Sequence, residues 1–139
     1  MSHDCKSAII QCIDFRLQKD LKSFLASLNL LGDCDVVSIA GAIKSLVQGT
    51  PEEQAFVLKQ VDVSIKLHAI QEVYLINHTD CGAYGGRSAF ESTEAERVAH
   101  LNDLQKAKEL ILSKYPNLKV ELLLARIDEG AGVDFEKVG

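Results

Sequence analysis

The sequence is short of the features that mark membrane, nucleic-acid and secreted proteins. Basic residues are outnumbered, with 15 Lys and Arg against 20 Asp and Glu and a formal net charge of -5. A chain of that sign lacks the basic face that nucleic acid demands, and it is no better suited to an anionic membrane surface. No apolar run approaches the roughly 18 residues that a membrane span needs. The start, MSHDCKSAII, carries no signal-peptide pattern, because its short apolar run leads straight into a strand-like stretch. The expectation is a cytoplasmic protein. Only 2 prolines and 9 glycines occur in 139 residues, so no long flexible linker is expected, and neither an internal repeat nor a low-complexity tract is visible. In a reducing compartment the 4 cysteines are expected to be free, metal-bound or catalytic rather than disulfide-bonded.

What is present is enough for a core. Hydrophobic residues make up 47% of the chain and charged residues 25%, the balance of a soluble globular protein. A single domain over residues 1–139 is expected, with residues 1–6 and about 128–139 as mobile ends or, at the C-terminus, one edge strand. Four short apolar runs stand out: Ala8–Ile10, Val36–Ile39, Val73–Ile76 and Val120–Leu124. They are nearly continuous in apolar residues, as befits strands buried on both faces of a parallel sheet.

Helical patterns separate these runs. Leu17, Leu21, Phe24, Leu25 and Leu28 mark one face, with Gly32 as a stop signal. Thr50, Pro51, Glu52 and Glu53 form a helix start, and Leu58, Val61, Ile65 and Ala69 share a face behind it. A last helix is expected from Thr93 or Glu94, with Val98, Leu101, Leu104, Ala107 and Ile111 inward and Tyr115-Pro116-Asn117 as its end. The order β-α-β-α-β-α-β predicts an α/β fold: a small, mainly parallel sheet of four strands in the order 2-1-3-4, flanked by helices. Ligands in such sheets bind beyond the carboxyl ends of the strands, at the switch point, here between the first and third.

Those two strand ends carry the chemistry. The third runs into His78-Thr79-Asp80-Cys81 and the first into Gln11-Cys12-Ile13-Asp14-Phe15-Arg16. The topology brings Cys12 beside His78 and Cys81. Two thiolates and an imidazole are a zinc ligand set, and three protein ligands leave a tetrahedral position open, the mark of a catalytic site. Asp14 has two options: to take the fourth position in a closed state, or to accept a hydrogen bond from water at the metal. Arg16 can pair with it bidentately and hold it off.

The stretches CIDFR and HTDCGA resemble the Cys-x-Asp-x-Arg and His-x-x-Cys-Gly motifs of the β-class carbonic anhydrases. DVVSIAGAIKSL and LHAIQEVYLINHTDCGA match the family's second strand with its Ala-Gly turn, and its third strand with its metal loop. The likeness spans residues 7 to about 125. It implies zinc on Cys12, His78 and Cys81, Asp14 and Arg16 as the catalytic pair, and the reversible hydration of carbon dioxide to bicarbonate and a proton. It also implies a homodimer or higher homo-oligomer.

The chain departs from the pattern in three places. It is a short member, without the family's N-terminal helical arm. Ser38-Ile39-Ala40-Gly41-Ala42 stands where many members read Arg-Asn-Ala-Gly-Asn, and Phe15 where many carry Ser. The drier pocket leaves two alternatives: a hydrolase of carbonyl sulfide or carbon disulfide at the same zinc, or a non-catalytic zinc- or anion-binding module that Asp14 closes. The other candidates are read as bland. Cys5 and Cys34 are structural or free, His3 is terminal, and His68 and His100 are helical and satisfied or solvated. Asp80 relays protons or caps a turn. Gly82, Gly85 and Gly86 shape a loop that with Arg87 could cradle an anion, although GAYGGR is not a phosphate-binding P-loop.

Overall fold

The first apolar run forms β1 (Ser7–Gln11), in which every residue is buried. Residues hidden on both faces require neighbours on both edges, and β1 has them: β2 (Cys34–Ser38) on one side and β3 (Glu72–His78) on the other, both parallel. The sheet continues through β4 (Lys119–Asp128), parallel to β3, and β5 (Gly132–Val138), antiparallel to β4. The order is β2-β1-β3-β4-β5. This computed structural model describes residues 3–139; Met1 and Ser2, in the N-terminal segment expected to be mobile, lie outside them.

The expected order 2-1-3-4 therefore holds, but the sheet has five strands rather than four. The C-terminal segment, expected as a mobile tail or an edge strand, is the edge strand. It is held by charge pairs on its outer positions as well as by its ladder: Arg97 with Glu136, Arg126 with Asp134, and Lys137 with Glu121. The fourth strand also runs past its expected end at Leu124 as far as Asp128. At the other end, Cys5 N–H donates to the His68 carbonyl and Lys6 N–H to that of Asp33, so these two residues are tied to neighbouring loops.

Helices cover both faces. On one face lie α2 (Ala42–Gln48), α3 (Pro51–His68) and α4 (Thr93–Lys114), packed over Ala8, Ile10, Val73, Leu75, Leu122 and Leu124. On the other lies α1 (Gln18–Ser27), whose Leu21 and Leu25 meet Ile9, Ile76 and Leu123. Phe24 of that helix stacks on Phe135 of β5, ring centroids 4.7 Å apart, a pairing worth about 1 kcal/mol beyond its burial. The α3 start is as read from sequence. Pro51 opens the helix, and Thr50 and Glu53 close a reciprocal capping box that satisfies two otherwise orphaned N–H groups.

Three local expectations fail for identifiable reasons. The first helix ends at Ser27, ahead of Gly32, because Asn29 already supplies the left-handed turn at φ 59°. The short α2 lies between the second strand and Thr50, where no helix was expected. In α4, Val98 faces solvent while Glu96, His100 and Asp103 are buried with Leu104, Ala107 and Ile111. The inward face is thus half polar, and its polar half lies against the third strand end. No helix among the described residues is long and apolar enough to cross a membrane.

Candidate metal centre

The parallel pairing of β1 and β3 sets Ile10 opposite Leu75, and the two chains then leave the sheet side by side. Cys12 follows β1 directly, His78 closes β3, and Cys81 comes three residues later. Their ligand atoms all lie within 4.8 Å of one another, the grouping expected of two strand ends at a switch point. His78 and Cys81 are buried and Cys12 is half-buried.

The ring of His78 is fixed by one bond. Its Nδ1 lies 2.8 Å from the Thr79 carbonyl, which can only accept, so in the neutral ring Nδ1 carries the proton and Nε2 keeps its lone pair. Nε2 is fully buried yet has no hydrogen-bond partner among the described residues. A buried acceptor left unbonded is costly, and this one has two sulfurs for company. The sulfurs themselves act as a pair. The hydrogen bond from Cys81 holds the Cys12 thiol well below its usual range, and the same bond pushes Cys81 up. Gly41 N–H reaches the Cys12 sulfur at 3.4 Å and adds to the effect. An unpartnered imidazole nitrogen, one ready thiolate and a second thiol that a cation would deprotonate are donors that fit a zinc ion.

Asp14 stands next to this group but outside it. Its Oδ2 is 3.9 Å from His78 Nε2, and its carboxylate is occupied by Arg16. Oδ1 accepts from Arg16 N at 2.9 Å and Nε at 3.0 Å, and Oδ2 accepts from Nη2 at 2.7 Å. This fork holds the Asp14 carboxyl down at about 2, well under its ordinary value. Arg16 is itself clamped from the far side. Its Nη1 donates to Asp80 Oδ2 at 3.1 Å and its Nη2 to the Asp80 carbonyl at 3.0 Å. Asp80 is therefore the second anchor of the arginine, and the metal loop and the Asp14 loop are joined through it. It also caps the turn, as Oδ1 accepts from Arg87 N–H at 2.8 Å and its own φ is 55°.

The glycine-rich remainder of the loop serves this geometry. Tyr84 N–H and Gly86 N–H both return to the Cys81 carbonyl, which winds the chain tightly around the cysteine. Gly41, at φ +56°, comes so close to the same loop that a Cβ there would lie 2.4 Å from Ala83 Cβ. Lys44 Nζ closes the contact on the Ala83 carbonyl at 2.7 Å. Arg87, considered with the loop glycines for an anion cradle, has its N–H bound to Asp80 and its Nη2 to the Ile127 carbonyl.

Behind the loop lies a polar network that sequence reading missed. Asp80 N–H donates to Glu96 Oε2 at 2.8 Å, and His100 Nδ1 meets Asn77 Nδ2 at 3.1 Å. Asn77 also donates to the Tyr84 hydroxyl, which donates to Asp103 at 2.7 Å. His100, read as an ordinary helical histidine, is fully buried in this network. Thr79 Oγ1 accepts the buried N–H of Ile127 at 2.9 Å and fastens the loop to β4. Periodicity reveals apolar faces, so a buried polar one gave no signal. Cys5 and His68 were also assigned no joint role, yet with Asp35 they form a second close group of donors.

Known proteins resemble this chain in sequence or in fold. A family model described as "Putative carbonic anhydrase" matches residues 2–130. An uncharacterized protein of Rickettsia bellii is 32% identical over 130 residues, covering 91% of this chain and 79% of that protein. An uncharacterized protein of Rickettsia conorii is 29% identical over the same length, covering 91% and 70%. Among solved structures, the β-carbonic anhydrase CafA of Aspergillus fumigatus superposes with a TM-score of 0.62 at 17% identity, covering 99% of this chain and 76% of that one. One of two tetrameric β-carbonic anhydrases from Sordaria macrospora gives 0.55 at 16%, covering 100% and 82%. At such identities the likeness is one of fold: the chain has the β-carbonic anhydrase fold.

Proposed function

The chain belongs to the carbonic anhydrase family whose model it matches, and from that membership we propose that it is a zinc enzyme catalysing the reversible hydration of carbon dioxide. The observation that carries this reading is the buried, unpartnered Nε2 of His78 beside the Cys12 and Cys81 sulfurs, with an ionised Asp14 next to it. Cys12, His78 and Cys81 would hold the zinc. Zinc bound there supplies a Lewis acid that makes water a better nucleophile near neutral pH.

The chain's own groups do the rest. In the reaction, water oxygen bonds to the carbon, one C=O π pair moves onto oxygen, and a proton leaves. Asp14, ionised across the physiological range, accepts a hydrogen bond from the attacking water and turns its lone pair toward the carbon. Arg16 keeps Asp14 in that role by occupying its carboxylate through the bidentate fork. Asp80 keeps Arg16 in place. The Nδ1–H bond to the Thr79 carbonyl holds the His78 ring in the ligating tautomer.

A second reading concerns substrate. Phe15, 82% exposed next to Asp14, sets an apolar side chain beside the centre, which suits carbonyl sulfide or carbon disulfide at the same zinc. Sulfide release measured beside hydration separates the two. Ile13, at 60%, is also exposed on the same segment, and a second copy of this chain is the proposed cover for both. Sedimentation should then show at least a dimer, weakened by Phe15→Glu.

The test of the main reading is a metal analysis of purified protein. About one zinc per chain should be lost in Cys81→Ser, while Asp14→Asn should keep it and lose hydration. A Cys81→Ser protein that retained its full zinc content would sink the assignment of this site.

A further inference from the structure

At the opposite end of the sheet, where the parallel strands begin, a second set of donors converges from three elements. Cys5 precedes β1, Asp35 is the second residue of β2, and His68 is the last residue of α3. The Cys5 sulfur, an Asp35 carboxylate oxygen and a His68 ring nitrogen all lie within 4.8 Å of one another. We propose that Cys5, Asp35 and His68 form a second divalent metal site, of the zinc class, which clips the amino-terminal segment to β2 and α3.

The donor types come first. A thiol, an imidazole and a carboxylate together are a set suited to zinc and poorly suited to calcium or magnesium, which take oxygen. An Asp–His ion pair alone would explain two of the three, since His68 Nδ1 lies 2.7 Å from Asp35 Oδ2. It does not explain the thiol. Beyond a 3.6 Å contact to the Ser7 carbonyl, the Cys5 sulfur is engaged by Asp35 itself, through that residue's side chain and its backbone. The sulfur is brought to the pair by the backbone, because Cys5 N–H donates to the His68 carbonyl at 2.9 Å. Two of the three ligating residues are therefore locked to each other through the main chain.

The surroundings are those of a supported site. The buried hydroxyl of Ser64, one turn back on α3, donates to Asp35 Oδ2 at 2.5 Å and orients the carboxylate. Such a hydrogen bond to a ligating carboxylate is what outer groups supply at metal sites. The needed adjustment is small. Two donors at zinc-bond lengths on a tetrahedron lie about 3.3 Å apart, so the Asp35–His68 pair must open by roughly half an ångström. All three residues are half-buried, which leaves room for a water in the remaining position. Cys34 takes no part: it packs on the α1 face, whereas Cys5 packs on the other.

The test is a cobalt and zinc titration of the untagged, metal-stripped full chain, read by bound equivalents and by the thiolate–cobalt charge-transfer band. Wild type should bind two equivalents. Cys5→Ser and His68→Gln should each bind one, and so should Cys81→Ser. The Cys12→Ser/Cys81→Ser double variant should retain one equivalent with a single-thiolate band, which requires Cys5. A double variant without that band, or Cys5→Ser and His68→Gln proteins that bind as many ions as wild type, would overturn the proposal. The result does not depend on the carbonic anhydrase reading, because the two sites lose their equivalents in different variants.

Discussion

Replacing Gly41 by alanine tests how the two halves of the metal centre are held together. Gly41 sits at φ +56°, and an alanine held in that region costs about 1–2 kcal/mol. Its Cβ would also lie 2.4 Å from Ala83 Cβ, so one of the two loops must retreat by more than an ångström. Overpacking of that kind costs about 1–3 kcal/mol. The expected total is about 3 kcal/mol, which for a chain of this size lowers Tm by about 10 °C. Gly32 provides the control. It has φ +73° and open space, with no described residue within 4 Å of where a methyl would stand, so Gly32→Ala should pay only the backbone part, about half as much. Calorimetry of the two variants separates strain from collision. The retreat would also carry Ala83 away from Gly41 two residues past Cys81, so zinc should pass to a chelator about ten-fold faster or more in Gly41→Ala. Equal melting points and equal zinc retention in the two variants would refute this reasoning.

Other outcomes follow from single contacts. Thr79→Val removes the acceptor for the buried Ile127 N–H and should cost about 1–3 kcal/mol in urea denaturation. Tyr84→Phe leaves Asp103 and Asn77 short of a partner and should cost about 1–2 kcal/mol by the same assay. Asp14→Asn should show a pH signature in metal-stripped protein. The Asp14 carboxyl is lowered from 3.8 to about 2 in the folded chain, so its ionisation favours folding above pH 3.8 and that contribution is lost as pH falls through 2. The stability gap between wild type and Asp14→Asn should be about 2 kcal/mol at pH 7 and roughly half that at pH 3. A gap that does not change with pH would mean that Arg16 does not hold the carboxylate ionised.

Much of the fold was legible because its central strands are extreme. Ala8–Ile10 and Val73–Ile76 are apolar at consecutive positions, and only strands covered on both faces read that way. Once they are neighbours, Cys12 and His78 have to be neighbours too. What escaped detection was polar or non-local. The fifth strand, GVDFEKV, alternates weakly, and its outer charges are matched by Arg97, Arg126 and Glu121 from elsewhere in the chain. The inward face of α4 includes Glu96, His100 and Asp103, which are tolerable inside only because Asp80, Asn77, Tyr84 and Gln48 bond to members of that set. Asp35 and His68 are 33 residues apart and Cys5 precedes both by a whole helix or more, so nothing local in the sequence announces their meeting.

Stopped-flow carbon dioxide hydration by the zinc-loaded chain, followed from neutral to alkaline pH, is the most direct test of the central claim. The account predicts hydration well above buffer that rises with pH, disappears in Cys81→Ser and falls about 100-fold or more in Asp14→Asn. Folded wild-type protein carrying its full zinc, yet indistinguishable from buffer at every pH, would contradict it.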